Sequence, residues 1–164
     1  MKNLFFTLTF LICSFTSANA QTEGLEIGDI IPDLDLPDAK GNVISLSSMR
    51  GALVLVDFWA SWCGPCVKEQ PELLKLYQKY PNKFMIYGVS LDSKKPAWLG
   101  AMAKLKQPWT QVSDLKLWNS PAVLNYKIQS IPFNALIDKN GIILAKNIHG
   151  NKLDELIKAL TADK

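Results

Sequence analysis

The stretch Asp57-Phe58-Trp59-Ala60-Ser61-Trp62-Cys63-Gly64-Pro65-Cys66 constrains this chain more than any other: an apolar run enters a Cys-x-x-Cys turn, and a helical pattern follows. Leu53 to Trp59 is nearly continuous in apolar residues, the mark of a central strand covered on both faces. A chain that carries such a strand must supply layers above and below it. Of three cysteines, Cys13 falls in a separate N-terminal apolar run, which leaves Cys63 and Cys66 as the only thiols of the folded part. A bridge between them closes a tiny loop, and the chain-entropy effect of a disulfide grows with loop length. The pair therefore reads as a working redox couple and not as a staple.

Cysteines three apart at a helix start share one face, so their sulfurs can meet. Cys63, at or just before the first turn, would have its thiolate stabilised by unpaired amide hydrogens and the positive end of the helix dipole. It is the expected nucleophile, and Cys66, one turn deeper, the shielded resolving thiol. Gly64 allows close approach of a partner chain, and Pro65 fixes a helical φ where no donor is needed. Asp57 interrupts the apolar strand, and a buried unpaired acid resists ionisation, so it is the expected proton acceptor for Cys66. Glu69, three residues after Cys66, lies on the same helical side; tuning of the thiols and a plain surface charge are both open for it.

Elsewhere the pattern fits one domain. Lys2 followed by an apolar Leu4 to Phe15 and a small-x-small Ala18-Asn19-Ala20 reads as a signal peptide, residues 1–20, cleaved before Gln21. Its apolar core is roughly a dozen residues, short of the ~20 that a spanning helix needs. Bulky Ile12 before Cys13 argues against lipidation there. Residues 21–164 then form the mature domain. Basic residues exceed acidic ones by three and are scattered, and all but Arg50 are lysines, so no nucleic-acid surface or phosphate clamp is indicated.

Asp33 to Leu36 and Asn42 to Leu46 alternate around a Pro37-to-Gly41 turn and predict a hairpin. Ser47 to Gly51 reads as a helical turn. A helix is expected from Pro65 to Tyr80, bent at Pro71, then a strand from Phe84 to Leu91, a helix from Lys94 to Lys106 and a brief strand from Trp109 to Val112. Ser120 to Asn125 reads as a short helix, Pro132 to Asp138 and Gly141 to Asn147 as a hairpin, and Lys152 to Leu160 as a closing amphipathic helix. The order gives an α/β fold with one mixed sheet and helices on both faces. Trp59 and Trp62 flank the cysteines, with Trp62 part of a docking surface; Trp98, Trp109 and Trp118 are expected in the core or covering the inserted segment.

Trp62-Cys63-Gly64-Pro65-Cys66, preceded by Val56-Asp57-Phe58-Trp59-Ala60, resembles the active site of thioredoxin. Pro71 matches that family's helix proline, and Ser130-Ile131-Pro132 resembles the loop whose cis proline faces the cysteines. From Gly28-Asp29-Ile30-Ile31-Pro32 to Asp138-Lys139-Asn140-Gly141 the chain is similar to exported thioredoxin-like proteins of the TlpA/ResA group. The resemblance implies a thioredoxin-like three-layer fold with an added N-terminal hairpin and an insertion after the second core strand, here about Ser93 to Asp114. It implies thiol-disulfide exchange in which the backbone of Ile131, beside a cis Pro132, pairs with an extended substrate segment. Glu69 matches an acid of the membrane-linked members, whose position equivalent to Asp57 is often not acidic, so which acid dominates stays open.

The Gly-Pro dipeptide resembles the reducing member of the family. Thioredoxin at about −270 mV and the oxidant DsbA at about −120 mV differ by roughly 7 kcal/mol. An exported, periplasmic reductase of protein disulfides is the resulting expectation, recharged by a membrane electron donor and requiring neither cofactor nor metal. An apocytochrome, an oxidised periplasmic enzyme or a wider set of proteins are open as substrates. The rivals are a disulfide-forming oxidant on the same fold and a copper-delivery protein using Cys63, Cys66 and His149, with His149 otherwise a surface residue. A structural zinc site fails on ligand number. A peroxiredoxin fails because no proline lies between Pro37 and Pro65 and the lone arginine is Arg50.

Overall fold

The computed structural model describes residues 23–162. The expected signal peptide, the expected cleavage site before Gln21 and Cys13 lie outside the described residues. Strand β1 (Asp35–Pro37) pairs antiparallel with β2 (Val43–Ser45), and a 3-10 turn at Leu46–Met49 leads to β3 (Leu53–Trp59). There follow α1 (Gly64–Lys79), β4 (Phe84–Ser90), α2 (Lys95–Leu105) and β5 (Thr110–Val112). A second 3-10 turn, Leu117–Asn119, precedes α3 (Pro121–Asn125), β6 (Phe133–Ile137), β7 (Ile143–Lys146) and α4 (Gly150–Thr161).

The main sheet has the order β5-β4-β3-β6-β7. β3 runs parallel to β4 and antiparallel to β6, and all seven of its residues are buried. Side chains alternate across a strand, and here the alternation divides the core. Val54, Val56 and Phe58 join Trp98 of α2, Ala122 and Val123 of α3 and the hairpin's Leu36. Leu53 and Leu55 join Leu73 and Leu76 of α1 and Leu153 and Ile157 of α4. The expected three-layer, thioredoxin-like α/β arrangement is thus present, with helices on both faces.

The N-terminal extension is tied to this sheet at both edges. Asp38 bridges to Val112 of β5, Ser113 N donates to Pro37 O at 3.0 Å, and Ile31 N donates to Gly141 O at 2.9 Å. Tyr87, in the middle of β4, donates its hydroxyl to Ile44 O at 2.7 Å. The insertion after the second core strand is α2 plus β5, which adds an edge strand parallel to β4. Helix α1 runs on through Pro71, and α4 starts two residues earlier than its apolar periodicity alone suggests, at Gly150.

Candidate active site

Strand β3 delivers the chain to the site. After Trp59 it turns through Ala60, Ser61 and Trp62, and Cys63 N donates to Ala60 O at 3.1 Å to close that turn. The turn is held from below by Asp92, which is buried just past β4 and accepts from Ser61 N (3.0 Å), Ser61 Oγ (2.5 Å) and Ser90 Oγ (2.8 Å). Sequence reading missed Asp92; its signal was an acid directly abutting the apolar run Phe84 to Leu91.

Cys63 is the N-cap of α1, with extended backbone, and its Sγ accepts from Cys66 N at 3.2 Å. Pro65 sits in the first turn, where its missing N–H leaves nothing unpaired. Cys63 and Cys66 are joined as a disulfide. Cys63 keeps 6% of its surface exposed and Cys66 1%, the order expected of an outer and an inner sulfur.

Asp57 has the strand parity of Leu53 and Leu55 and so faces α1. It is 1% exposed, and its Oδ2 accepts from Gln70 Nε2 at 3.1 Å, while Gln70 Oε1 accepts from Gln107 Nε2 at 2.8 Å. Burial pushes the Asp57 carboxyl up to about 7; the nearby negative charge of Glu69 adds to the rise, and the Gln70 hydrogen bond and His149 oppose it.

Glu69 is not a free surface charge. Its side chain is 14% exposed and Oε1 lies 2.5 Å from His149 Nδ1. His149, expected as a surface residue, keeps 38% of its side chain exposed and at the same time reaches Glu69 of α1 from the N-cap of α4. Its position follows from Asn134, which stands opposite Asp57 in the β3–β6 register and clasps the backbone of Ile148, Oδ1 accepting from N at 3.0 Å and Nδ2 donating to O at 2.9 Å. The copper reading needed His149 to complete a set with the two sulfurs. Its Nδ1 faces Glu69, and among the described residues no group of three or more His, Cys, Asp or Glu stands together to hold a metal ion.

The Ile131-Pro132 peptide bond is cis. Pro132 directly precedes Phe133, the partner of Phe58, so it lies at the end of the sheet where β3 enters the cysteine turn. A cavity of about 330 Å³ beside it is lined by Ser130, Pro132, Phe133 and His149, among others. A larger concavity of about 940 Å³, around Gly51, Asp138 and Ala162, lies at the opposite end of the sheet and is remote from the sulfurs.

Trp62 is 50% exposed and packs against Trp118, ring centroids 6.3 Å apart at 55°. Trp98 and Trp109 are buried as expected, but Trp118 is 40% exposed and is neither core nor cover. The intervening backbone explains the departure: Leu115 and Leu117 both have positive φ, 59° and 54°, and a left-handed turn has no apolar periodicity to read.

The redoxin family model matches residues 26–160. The thiol-disulfide oxidoreductase ResA of a Bacillus cereus strain is 30% identical over 140 residues, covering 84% of this chain and 78% of the relative. The solved thioredoxin domain of a thiol-disulfide oxidoreductase from Bacteroides vulgatus superposes with a TM-score of 0.77 at 36% identity, covering 84% of this chain and 99% of that one. A thiol-disulfide oxidoreductase from Bacteroides fragilis NCTC 9343 superposes with a TM-score of 0.75 at 36% identity, over 82% and 99%. With its cysteine pair at the N-terminus of α1, a cis proline at the same end of the sheet and relatives of this kind along most of its length, the chain belongs to the redoxin family, as a ResA-like thiol-disulfide oxidoreductase.

Proposed function

We propose that this protein is an exported reductase of disulfides in polypeptide substrates, with residues 21–164 as its single mature domain. The observation that carries the reading is Cys63 at the N-cap of α1, its sulfur accepting from the Cys66 amide while Cys66 is buried behind it. In the reduced protein the same amide and the helix N-terminus favour Cys63 as thiolate. Its Sγ attacks one sulfur of the substrate disulfide; that S–S bond breaks, a mixed disulfide forms and one substrate thiolate leaves. The Cys66 thiol then gives up its proton, and its Sγ attacks Cys63 Sγ. The second substrate thiolate departs, the Cys63–Cys66 disulfide remains, and two electrons have passed to the substrate.

Asp57 is the acceptor for the Cys66 proton. A carboxyl poised at about 7 is matched to taking up and returning a proton near neutral pH. Glu69 adjusts Asp57 through its charge. Trp62, Gly64 and Pro65, joined by Trp118, offer an exposed face beside the sulfurs, and the backbone at Ile131, before cis Pro132, pairs with the extended substrate. Each turnover consumes the dithiol, so a donor must restore it; in an oxidising compartment that role suits a membrane electron carrier. Export itself rests on the Lys2-to-Ala20 pattern. No helix among the described residues is long and apolar enough to cross a membrane.

The test is a trap. Cys66→Ser should accumulate substrate proteins as mixed disulfides that dithiothreitol releases, and Cys63→Ser should accumulate none. Trapping through Cys66 instead, or through neither, would contradict the assigned roles.

A further inference from the structure

His149 has no role in the cysteine chemistry as the sequence presents it, yet it occupies the one place where α1, β6 and α4 meet beside the acids. At 2.5 Å, Glu69 Oε1 and His149 Nδ1 must share a proton, because two lone pairs at that distance repel. Asn134 Nδ2, 3.4 Å from the same nitrogen, already donates to Ile148 O and is itself a donor, so it cannot take that proton. Nδ1–H therefore donates to Glu69 Oε1.

The other charged groups around the imidazole leave this pairing intact. From α1, Glu72 Oε1 comes within 3.9 Å of where a Cβ on Gly150 would stand. From β3, Asp57 acts through space. Lys127 and His149 both line the cavity beside Pro132. On the flanking segments, Lys146 is bound to Leu25 O and Glu26, and Lys152 is exposed. His149 is 38% exposed and lines the cavity beside Pro132, so it is also the member of the group in contact with solvent.

We propose that His149 is a positioning residue of the exchange reaction, holding Glu69 through Nδ1 at the edge of the site and offsetting its charge toward Asp57. This rests on the reading of Asp57 as proton acceptor for Cys66. An uncompensated Glu69 makes the neighbouring Asp57 hold its proton more tightly and return to the carboxylate less readily. With the imidazole in place the Glu69 charge is shared, and Asp57 takes and releases its proton nearer neutrality. His149 thus acts on the sulfurs through two carboxyls and touches neither sulfur in the proposed cycle.

The experiment follows single-turnover oxidation of the reduced protein by oxidised glutathione, read by tryptophan fluorescence, from about pH 5 to about pH 9, a span that brackets such an acid. Asp57→Asn identifies which midpoint of the profile belongs to Asp57. His149→Ala should move that midpoint upward by about half a unit to one unit, the order expected on losing a charge partner near a buried acid. Glu69→Gln should move it downward, and in the Glu69→Gln background His149→Ala should have a clearly smaller effect, only the direct charge of His149 on Asp57 remaining to be lost. His149→Gln, whose neutral amide can still donate to Glu69, should recover part of the shift; it also serves as the test if His149→Ala does not fold, its midpoint then lying above that of the unmodified protein. An unmoved or lowered midpoint in His149→Ala, the same shift with and without Glu69, or no recovery in His149→Gln overturns the assignment. Absence of any exchange with glutathione in the unmodified protein would instead defeat the proposed function, so the two failures are distinguishable.

Discussion

Asp57 combines a central strand position with a carboxyl held protonated to about pH 7. The unfolded chain ionises this group near 3.8, so between those values the folded state holds a proton that the unfolded state has lost. Stability must therefore fall as pH rises through that window and level off above it. In the oxidised protein, Asp57→Asn should remove the fall, raising stability at pH 8 by at most about 4 kcal/mol and by nothing below about pH 4. Denaturant titrations at the two pH values check this, and the same variant should slow resolution of the mixed disulfide. The tension between a stabilised variant and a slower one is what a functional buried acid looks like. Asp57 was legible in the sequence because a charged residue inside an apolar strand breaks a strong pattern. His149 and Asp92 were harder to read: the first acquires its role only when Asn134 pins the β7–α4 junction, and no local pattern reports a contact across 80 residues of chain. Glu69 could be placed on the right side of α1 from its spacing to Cys66, but not given its partner.

Among the elements, the unit from β3 through the cysteine turn to α1 draws its support from β4 and β5. Gly88 of β4 lies under Gln111: a Cβ added there would stand 2.6 Å from the carboxamide, which meanwhile accepts from Trp59 Nε1 at 2.9 Å. Gly88→Ala must displace Gln111 and leave the buried indole N–H without its acceptor, a loss of about 1–3 kcal/mol. It should appear as a lower urea midpoint with an unchanged m value. The segment from Leu115 to Asn119 has a different character. It is anchored by the Ser113 Oγ hydrogen bonds to Ser90 O and Leu115 N, and from that anchor it carries Trp118 onto Trp62. Trp118→Ala should slow reaction with a peptide disulfide flanked by an aromatic residue about two- to tenfold relative to oxidised dithiothreitol, the worth of one aromatic pair. Equal slowing of both reactions would remove Trp118 from substrate docking. Strands and long helices were read from periodicity to within a few residues, since burial on one or both faces writes itself into the sequence. Trp118 was misassigned because two left-handed, non-glycine residues redirect the chain, and nothing in Leu115 or Leu117 announces that conformation.

At the scale of the whole molecule, one end of the sheet gathers the chemistry from distant parts of the chain: the cysteine turn after β3, Asp92 after β4, cis Pro132 before β6 and His149 before α4. The long apolar elements build a scaffold that needs no help from a disulfide, with two cores closed on either side of β3. The Cys63–Cys66 bond is thereby free to open and close without unfolding the protein. Reduction should accordingly leave far-ultraviolet circular dichroism unchanged while altering the fluorescence of Trp59 and Trp62 beside the sulfurs. The direction of transfer is set by how easily the bond opens. Equilibration of the protein with graded ratios of reduced and oxidised dithiothreitol or glutathione, followed by that fluorescence, measures it directly. A single two-electron transition lying nearer the thioredoxin value of about −270 mV than the oxidant value of about −120 mV is the expected result. A transition near the oxidant value would reverse the direction, and a bond that neither buffer opens would contradict redox cycling by this pair altogether.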